Sequence, residues 1–171
     1  MSQWNCRKAV ALGLYYYATL PARNVWNKRM AQKGQMPIVI LFYHRVSQDQ
    51  DNAWTISNRR FESHLNWLAR RYEFLSLAEA QRRLRERSSH RPAISITFDD
   101  GYADNCEFAL PYLIKQRIPC TYFVSSRNVV EGRPFPHDLK AGTPLRPNTV
   151  DQIRALAEAG IDIGAHTGYE S

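Results

Sequence analysis

Long apolar runs are missing from this chain of 171 residues. A membrane-spanning helix needs about 20 consecutive apolar residues. The nearest approach, residues 9–20, is shorter, contains Tyr15, Tyr16 and Tyr17, and is followed by Arg23, Trp26, Lys28 and Arg29. It resembles a signal peptide only in its charged start, Arg7 and Lys8, and no small-x-small cleavage site follows. Cysteine is scarce too. Cys6, Cys106 and Cys120 are far apart and odd in number, so they spell neither a disulfide framework nor a zinc motif. There is no glycine-rich phosphate loop, no zinc-finger spacing and no aromatic pattern of RNA-binding modules, so no nucleic-acid partner is expected despite a net charge of +7. Internal repeats and low-complexity tracts are also lacking.

What charge there is lies unevenly. Residues 1–91 hold 16 Lys and Arg against 6 Asp and Glu, whereas residues 92–171 hold 7 against 10. A basic half of this kind suits a solvated face first, and anionic polymer or lipid headgroups second. Residues 1–36 read as a separate N-terminal segment that is helical, amphipathic, aromatic and basic, ended by Gly34 and Pro37. Such a segment packs across one end of a domain, or makes peripheral membrane contact through residues 1–30. The rest, residues 37–171, is long enough for one core, and 44% hydrophobic content over the chain is ordinary for a globular domain.

Apolar runs of strand length occur at residues 38–43, 72–75, 93–98, 119–124 and 161–164, with helical patterns between them. One helix places Phe61, Leu65 and Leu68 on one face after a Ser57 cap. Another opens on the capping box Ser76-Leu77-Ala78-Glu79 and spreads Arg82, Arg83, Arg85 and Arg87 around its circumference. A helix over residues 103–116 is interrupted or kinked by Pro111. Residues 125–147 carry Gly132, Pro134, Pro136, Gly142, Pro144 and Pro147 and read as an irregular loop, a candidate wall of a substrate groove. Within it, His137 and Asp138 could approach a metal, although their spacing does not argue for it. Asn148 caps the last helix, which Gly160 ends. Alternation of this kind implies an α/β fold with a parallel sheet and right-handed crossovers.

The chemistry concentrates at strand ends. Ile94, Ile96 and Phe98 alternate with Ser95 and Thr97 until the strand stops at Asp99, Asp100 and Gly101. In parallel α/β architectures such ends open onto the ligand crevice. Asp-Asp-Gly is ordinary turn chemistry as well, since Asp hydrogen-bonds its own backbone and Gly supplies a positive φ. A second short strand, Ile161-Asp162-Ile163-Gly164-Ala165, runs into His166. A third, ending Phe42-Tyr43, closes at His44, which taken alone is a satisfied structural histidine as readily as a ligand.

Thr97-Phe98-Asp99-Asp100-Gly101 followed by His166-Thr167 resembles the polysaccharide deacetylase family, the NodB-homology group of carbohydrate esterase family 4, whose second motif reads His-Thr-x-x-His. Phe42-Tyr43-His44-Arg45-Val46 is similar to the first strand end of members acting on poly-N-acetylglucosamine and related envelope polymers. The resemblance implies that Asp99 is the general base, that Asp100 and His166 ligate a divalent metal, and that His44 lies at the substrate. Glu170 stands where the family has its second histidine, and a carboxylate there is able to serve as the third ligand. The implied ion is zinc first, with cobalt, manganese, nickel or iron as alternatives. The implied reaction is hydrolysis of N-acetyl or O-acetyl groups on an envelope or extracellular polysaccharide. A cell-envelope or membrane-associated location goes with that substrate.

The family folds as an incomplete (β/α) barrel. Here the sequence ends directly after the second motif, so the expectation is a barrel lacking its C-terminal strands, with the arginine motif, oxyanion amide and acid histidine that follow in the family. Two readings compete with an active deacetylase. One is an inert or weakly active fragment that binds sugar polymer, and the other is an acidic-pocket phosphotransfer-type α/β protein. An open sheet edge should also favour self-association, with an apolar patch along residues 161–164 unless the N-terminal segment covers it.

Overall fold

The computed structural model describes residues 3–49 and 52–167. Two helices come first, α1 (Gln3–Ala18) and α2 (Leu20–Gln32). They are followed by β1 (Ile38–Tyr43), β2 (Arg45–Val46), β3 (Thr55–Ile56), α3 (Asn58–Ala69), β4 (Glu73–Phe74), α4 (Leu77–Glu86) and β5 (Ala93–Phe98). A 3-10 turn (Ala103–Cys106) then leads to α5 (Ala109–Gln116), β6 (Cys120–Val124), α6 (Ser126–Glu131), α7 (Pro136–Lys140), α8 (Val150–Glu158) and β7 (Asp162–Ala165).

The main sheet is parallel throughout, in the order β1-β5-β6-β7, with β4 pairing the start of β5. Tyr43 pairs with Phe98, so β1 and β5 end level with one another. This register positions the site. Paired residues of parallel strands share a face. The large side chains Tyr43, Ile94, Ile96, Phe98 and Tyr122 therefore form one layer, which packs on Phe61, Leu65 and Leu68 of α3, Leu110 and Leu113 of α5 and Leu156 of α8. The opposite face carries Ser95, Thr97 and Thr121 in the middle of the sheet, with Ile40 and Phe42 on β1.

That asymmetry moves the exposed apolar surface from its expected place. Asp162 and Gly164 occupy this face on β7, and the Phe123 ring lies so close to Gly164 that an added Cβ would sit 2.4 Å from it. No large hydrophobic of β7 is exposed. The apolar edge is β1 instead, where Val39, Ile40 and Phe42 face solvent.

Several local expectations change as well. The expected interruption over residues 103–116 falls between the 3-10 turn and α5 rather than at Pro111, which sits in the first turn of α5, where the missing N–H costs no intrahelical bond. The cap of α8 is Thr149, whose side chain and that of Gln152 close a reciprocal capping box; Asn148 is buried one residue earlier. Residues 125–147 contain α6 and α7, the latter opened by Pro136, so this stretch is more ordered than its glycines and prolines imply. Arg82 and Arg83 are engaged by Glu79, Glu73 and Glu86, a solvated ion-pair network on α4.

The N-terminal segment is helical but not amphipathic. Leu12, Leu14, Tyr15, Tyr17, Val25 and Trp26 are exposed and fall on all sides of α1 and α2. α2 buries none of its residues, so the expected packing across one end of the domain is not seen there. No described helix is long and apolar enough to cross a membrane. Gly34 ends the segment at φ +64°, and a Cβ there would lie 1.8 Å from the carbonyl oxygen of Arg87, a position only glycine can fill.

Candidate active site

The ends of β5, β1 and β7 meet at one carboxylate. After Phe98 the chain turns sharply: Gly101 N–H donates to the Asp99 carbonyl at 2.9 Å, and Asp100, between them, has φ +70°. An i to i+2 hydrogen bond around a positive φ is the rare geometry of the γ-turn, tolerated by Asp and by the following Gly101 at φ +94°. The turn and the site are thus the same residues. Backbone strain of this kind clusters at functional positions.

Asp100 is buried, and an imidazole faces each of its oxygens. His44 Nε2 lies 3.9 Å from Oδ2, and His166 Nδ1 lies 3.9 Å from Oδ1. Both distances exceed a hydrogen bond. Two donors each about 2.0–2.2 Å from one ion stand at most about 4.4 Å apart, so either imidazole leaves room for a cation beside Asp100. The donor chemistry, carboxylate with imidazole, suits zinc and its divalent neighbours. The ligand set is incomplete, however: among the described residues no group of three His, Cys, Asp or Glu side chains converges on one ion. Glu170, the expected third ligand, lies outside the described residues.

Asp99 is half-buried beside this pair. Burial pushes its carboxyl above the ordinary range, the nearby His166 and His44 pull it down, and the Asp100 charge pushes it up again. A carboxyl raised in the folded state binds protons that the unfolded chain has released, so it costs stability as pH rises through that window. Asp99→Asn should accordingly raise the melting temperature of the chelator-treated chain at neutral pH, and the gain should shrink as pH falls into the ordinary carboxylate range. A variant that melts lower than the parent at neutral pH would contradict this environment for Asp99.

His44 is held from behind by a residue that sequence reasoning missed. Asn105, fully buried, donates from Nδ2 to the His44 carbonyl at 2.8 Å and accepts the Val46 N–H on Oδ1 at 2.9 Å. It clamps the chain where it leaves β1. Beside it the buried Arg45 guanidinium pairs with Asp104 and donates to Thr55 Oγ1 at 3.0 Å, tying the 3-10 turn to β3. A cavity of about 280 Å³ opens over Asp100, lined by His44, Trp54 and His137. Trp54 carries no sequence signal, because it depends on a loop folding back over the strand ends, whereas His137 lies in residues 125–147, the stretch read as a candidate groove wall.

Comparison with known proteins now decides the family. The family model described as polysaccharide deacetylase matches residues 86–169, which include Asp99, Asp100 and His166. A Bacillus subtilis (strain 168) protein named as a polysaccharide deacetylase, YxkH, is 32% identical over 130 residues, covering 75% of this chain and 41% of that protein. The family these matches identify is polysaccharide deacetylase. Among solved structures, IcaB from Ammonifex degensii superposes with a TM-score of 0.63 at 29% identity, covering 75% of this chain and 52% of that one. The de-N-acetylase from Aggregatibacter actinomycetemcomitans gives 0.61 at 27% identity, covering 75% and 54%. The chain therefore spans about half the length of the deacetylases it matches, and its parallel sheet is that part of an incomplete (β/α) barrel. The phosphotransfer alternative loses its support.

Proposed function

We propose that this site removes acetyl groups from an N-acetylated polysaccharide by metal-dependent hydrolysis. The observation that carries the reading is the buried Asp100 carboxylate, set between two imidazoles at level strand ends, with a second carboxyl of raised affinity for protons immediately before it. In this reading Asp100 and His166 hold a divalent ion, zinc first, with Glu170 as third ligand. When bound, such an ion would supply Lewis-acid chemistry, lowering the pKa of water and polarising the acetyl carbonyl. Asp99 would take the proton from the attacking water, its burial raising its affinity for that proton. His44 contacts the substrate from the β1 side, its backbone fixed by Asn105.

The test is acetate release from an N-acetylglucosamine oligomer by the whole chain, lost in chelator and restored by a divalent ion. Absence of release with zinc, cobalt, manganese, nickel and iron alike would sink the reading. A second reading, sugar binding without turnover, is favoured by the missing third ligand among the described residues. Binding of the oligomer without release would establish it.

A further inference from the structure

The cavity over Asp100 has two walls that the hydrolytic chemistry leaves unused. One is Trp54, 54% exposed, whose ring lies 5.1 Å from that of His44 at 35°. Tryptophan is usually well buried. Here the turn presents it, with the Trp54 N–H held by Asn52 Oδ1 at 3.0 Å. The other wall is His137, which a loop rich in glycine and proline would be expected to leave loose. Instead the loop carries a small core of its own, in which Tyr102, Phe135 and Leu145 are buried together.

His137 is fixed by that core. The Phe135 ring stacks on it at 5.8 Å and 18°. The Tyr102 hydroxyl lies 2.6 Å from His137 Nε2 and donates to the buried Asp138 carboxylate at 2.9 Å. Because the hydroxyl has one proton and gives it to Asp138, Nε2 of His137 is the donor to the hydroxyl oxygen. Ring orientation and tautomer are thereby set. An imidazole 38% exposed and held from behind by buried groups is preorganised for contact from the cavity side.

We propose that Trp54 and His137 form a subsite for one N-acetylated hexosamine ring, with Tyr102 and Asp138 as positioning residues for His137. Trp54 offers an aromatic face to the C–H side of the pyranose, and His137 offers a polar edge to its hydroxyl or acetamido groups. Small-molecule sites combine such apolar walls with a few fixed polar groups and run to roughly 300–1,000 Å³. At about 280 Å³ this cavity holds one ring and leaves neighbouring sugars on the surface. The choice of sugar rests on the deacetylase reading, whereas the two walls do not.

The experiment titrates β-1,4- and β-1,6-linked N-acetylglucosamine trimers into the whole chain, following tryptophan fluorescence and the His137 imidazole resonances. Trp54→Ala and His137→Ala should each weaken binding of at least one trimer about tenfold, with His137→Gln recovering part of the loss. Tyr102→Phe should weaken it similarly and add little in the His137→Ala background, since residues acting through one another are non-additive. Thermal melts of each variant separate this from misfolding, and the exposed Trp54 makes its variant decisive. No binding of either trimer, or binding that Trp54→Ala and His137→Ala leave unchanged, overturns the subsite. Acetate release with KM unaltered in both variants overturns it while leaving the deacetylase reading intact. Binding that depends on both residues, with no release under any metal, supports the subsite and removes the deacetylase reading.

Discussion

Asp100→Ala is expected to strip the chain of bound divalent ion and with it all metal-dependent acetate release, whereas Asp99→Asn should keep the ion and lose about 10²–10⁴-fold in turnover. The two residues are adjacent, yet their surroundings assign them different work. Asp100 is buried at a strained turn with an imidazole off each oxygen, so its carboxylate faces a place suited to a cation. Asp99 is half-buried, and desolvation is the largest influence on its proton affinity. Removing the first takes away a donor, while amidating the second preserves shape and removes only a proton acceptor. Metal content of the purified variants, set beside acetate release from an N-acetylglucosamine oligomer, distinguishes them. Equal loss of metal in both would abolish this division of roles. The same Asp99→Asn variant is expected to be the more stable protein in chelator, which is the usual sign of a residue retained for chemistry at the expense of the fold.

Much of the site was legible because β5 is locally complete: its alternation, its abrupt end and its two carboxylates all lie within ten residues. His166 followed from the same logic at β7. The place of His44 came from the resemblance alone, because in the fold it depends on the pairing of Tyr43 with Phe98, a register set between segments more than 50 residues apart. Sequence order would have put the strand at 72–75 beside β1. That strand is only Glu73–Phe74, too short to separate β1 from β5, and it pairs at the foot of β5 instead. Residues 125–147 are more ordered than their composition implies for a different reason. Glycine and proline mark breaks in regular structure, but Pro136 opens α7, and the order of this loop comes from Phe135 and Tyr102 packing across it. Asn105 belongs to the same class, since a buried amide reveals its purpose only once the two chain segments it bridges are known to be neighbours.

Phe98→Ala is expected to destabilise the chain by about 3–5 kcal/mol, the range for removing a fully buried aromatic ring. Phe98 has no exposed surface and sits among Tyr43, Phe61 and Tyr122, with ring centroids at 5.4, 5.9 and 6.1 Å. Those rings belong to β1, α3 and β6, so the cavity left by the substitution would open at the junction of three elements and could not be closed by moving one. Against a typical domain stability of about 5–15 kcal/mol, the variant keeps little margin. Phe42→Ala provides the control. Phe42 pairs with Thr97, on the face opposite Phe98, and is 60% exposed, so its loss should fall within about 0.5 kcal/mol. Urea unfolding of the two variants beside the parent measures both differences. The first substitution should also disturb the site, because Phe98 is the last strand residue before Asp99, and a strand end that is no longer packed lets the turn holding Asp100 between His44 and His166 relax. Metal affinity should therefore fall in Phe98→Ala under conditions where the protein is still folded, and remain unchanged in Phe42→Ala. Similar stability loss in both variants would mean that the helix-packed face has been assigned to the wrong side of the sheet.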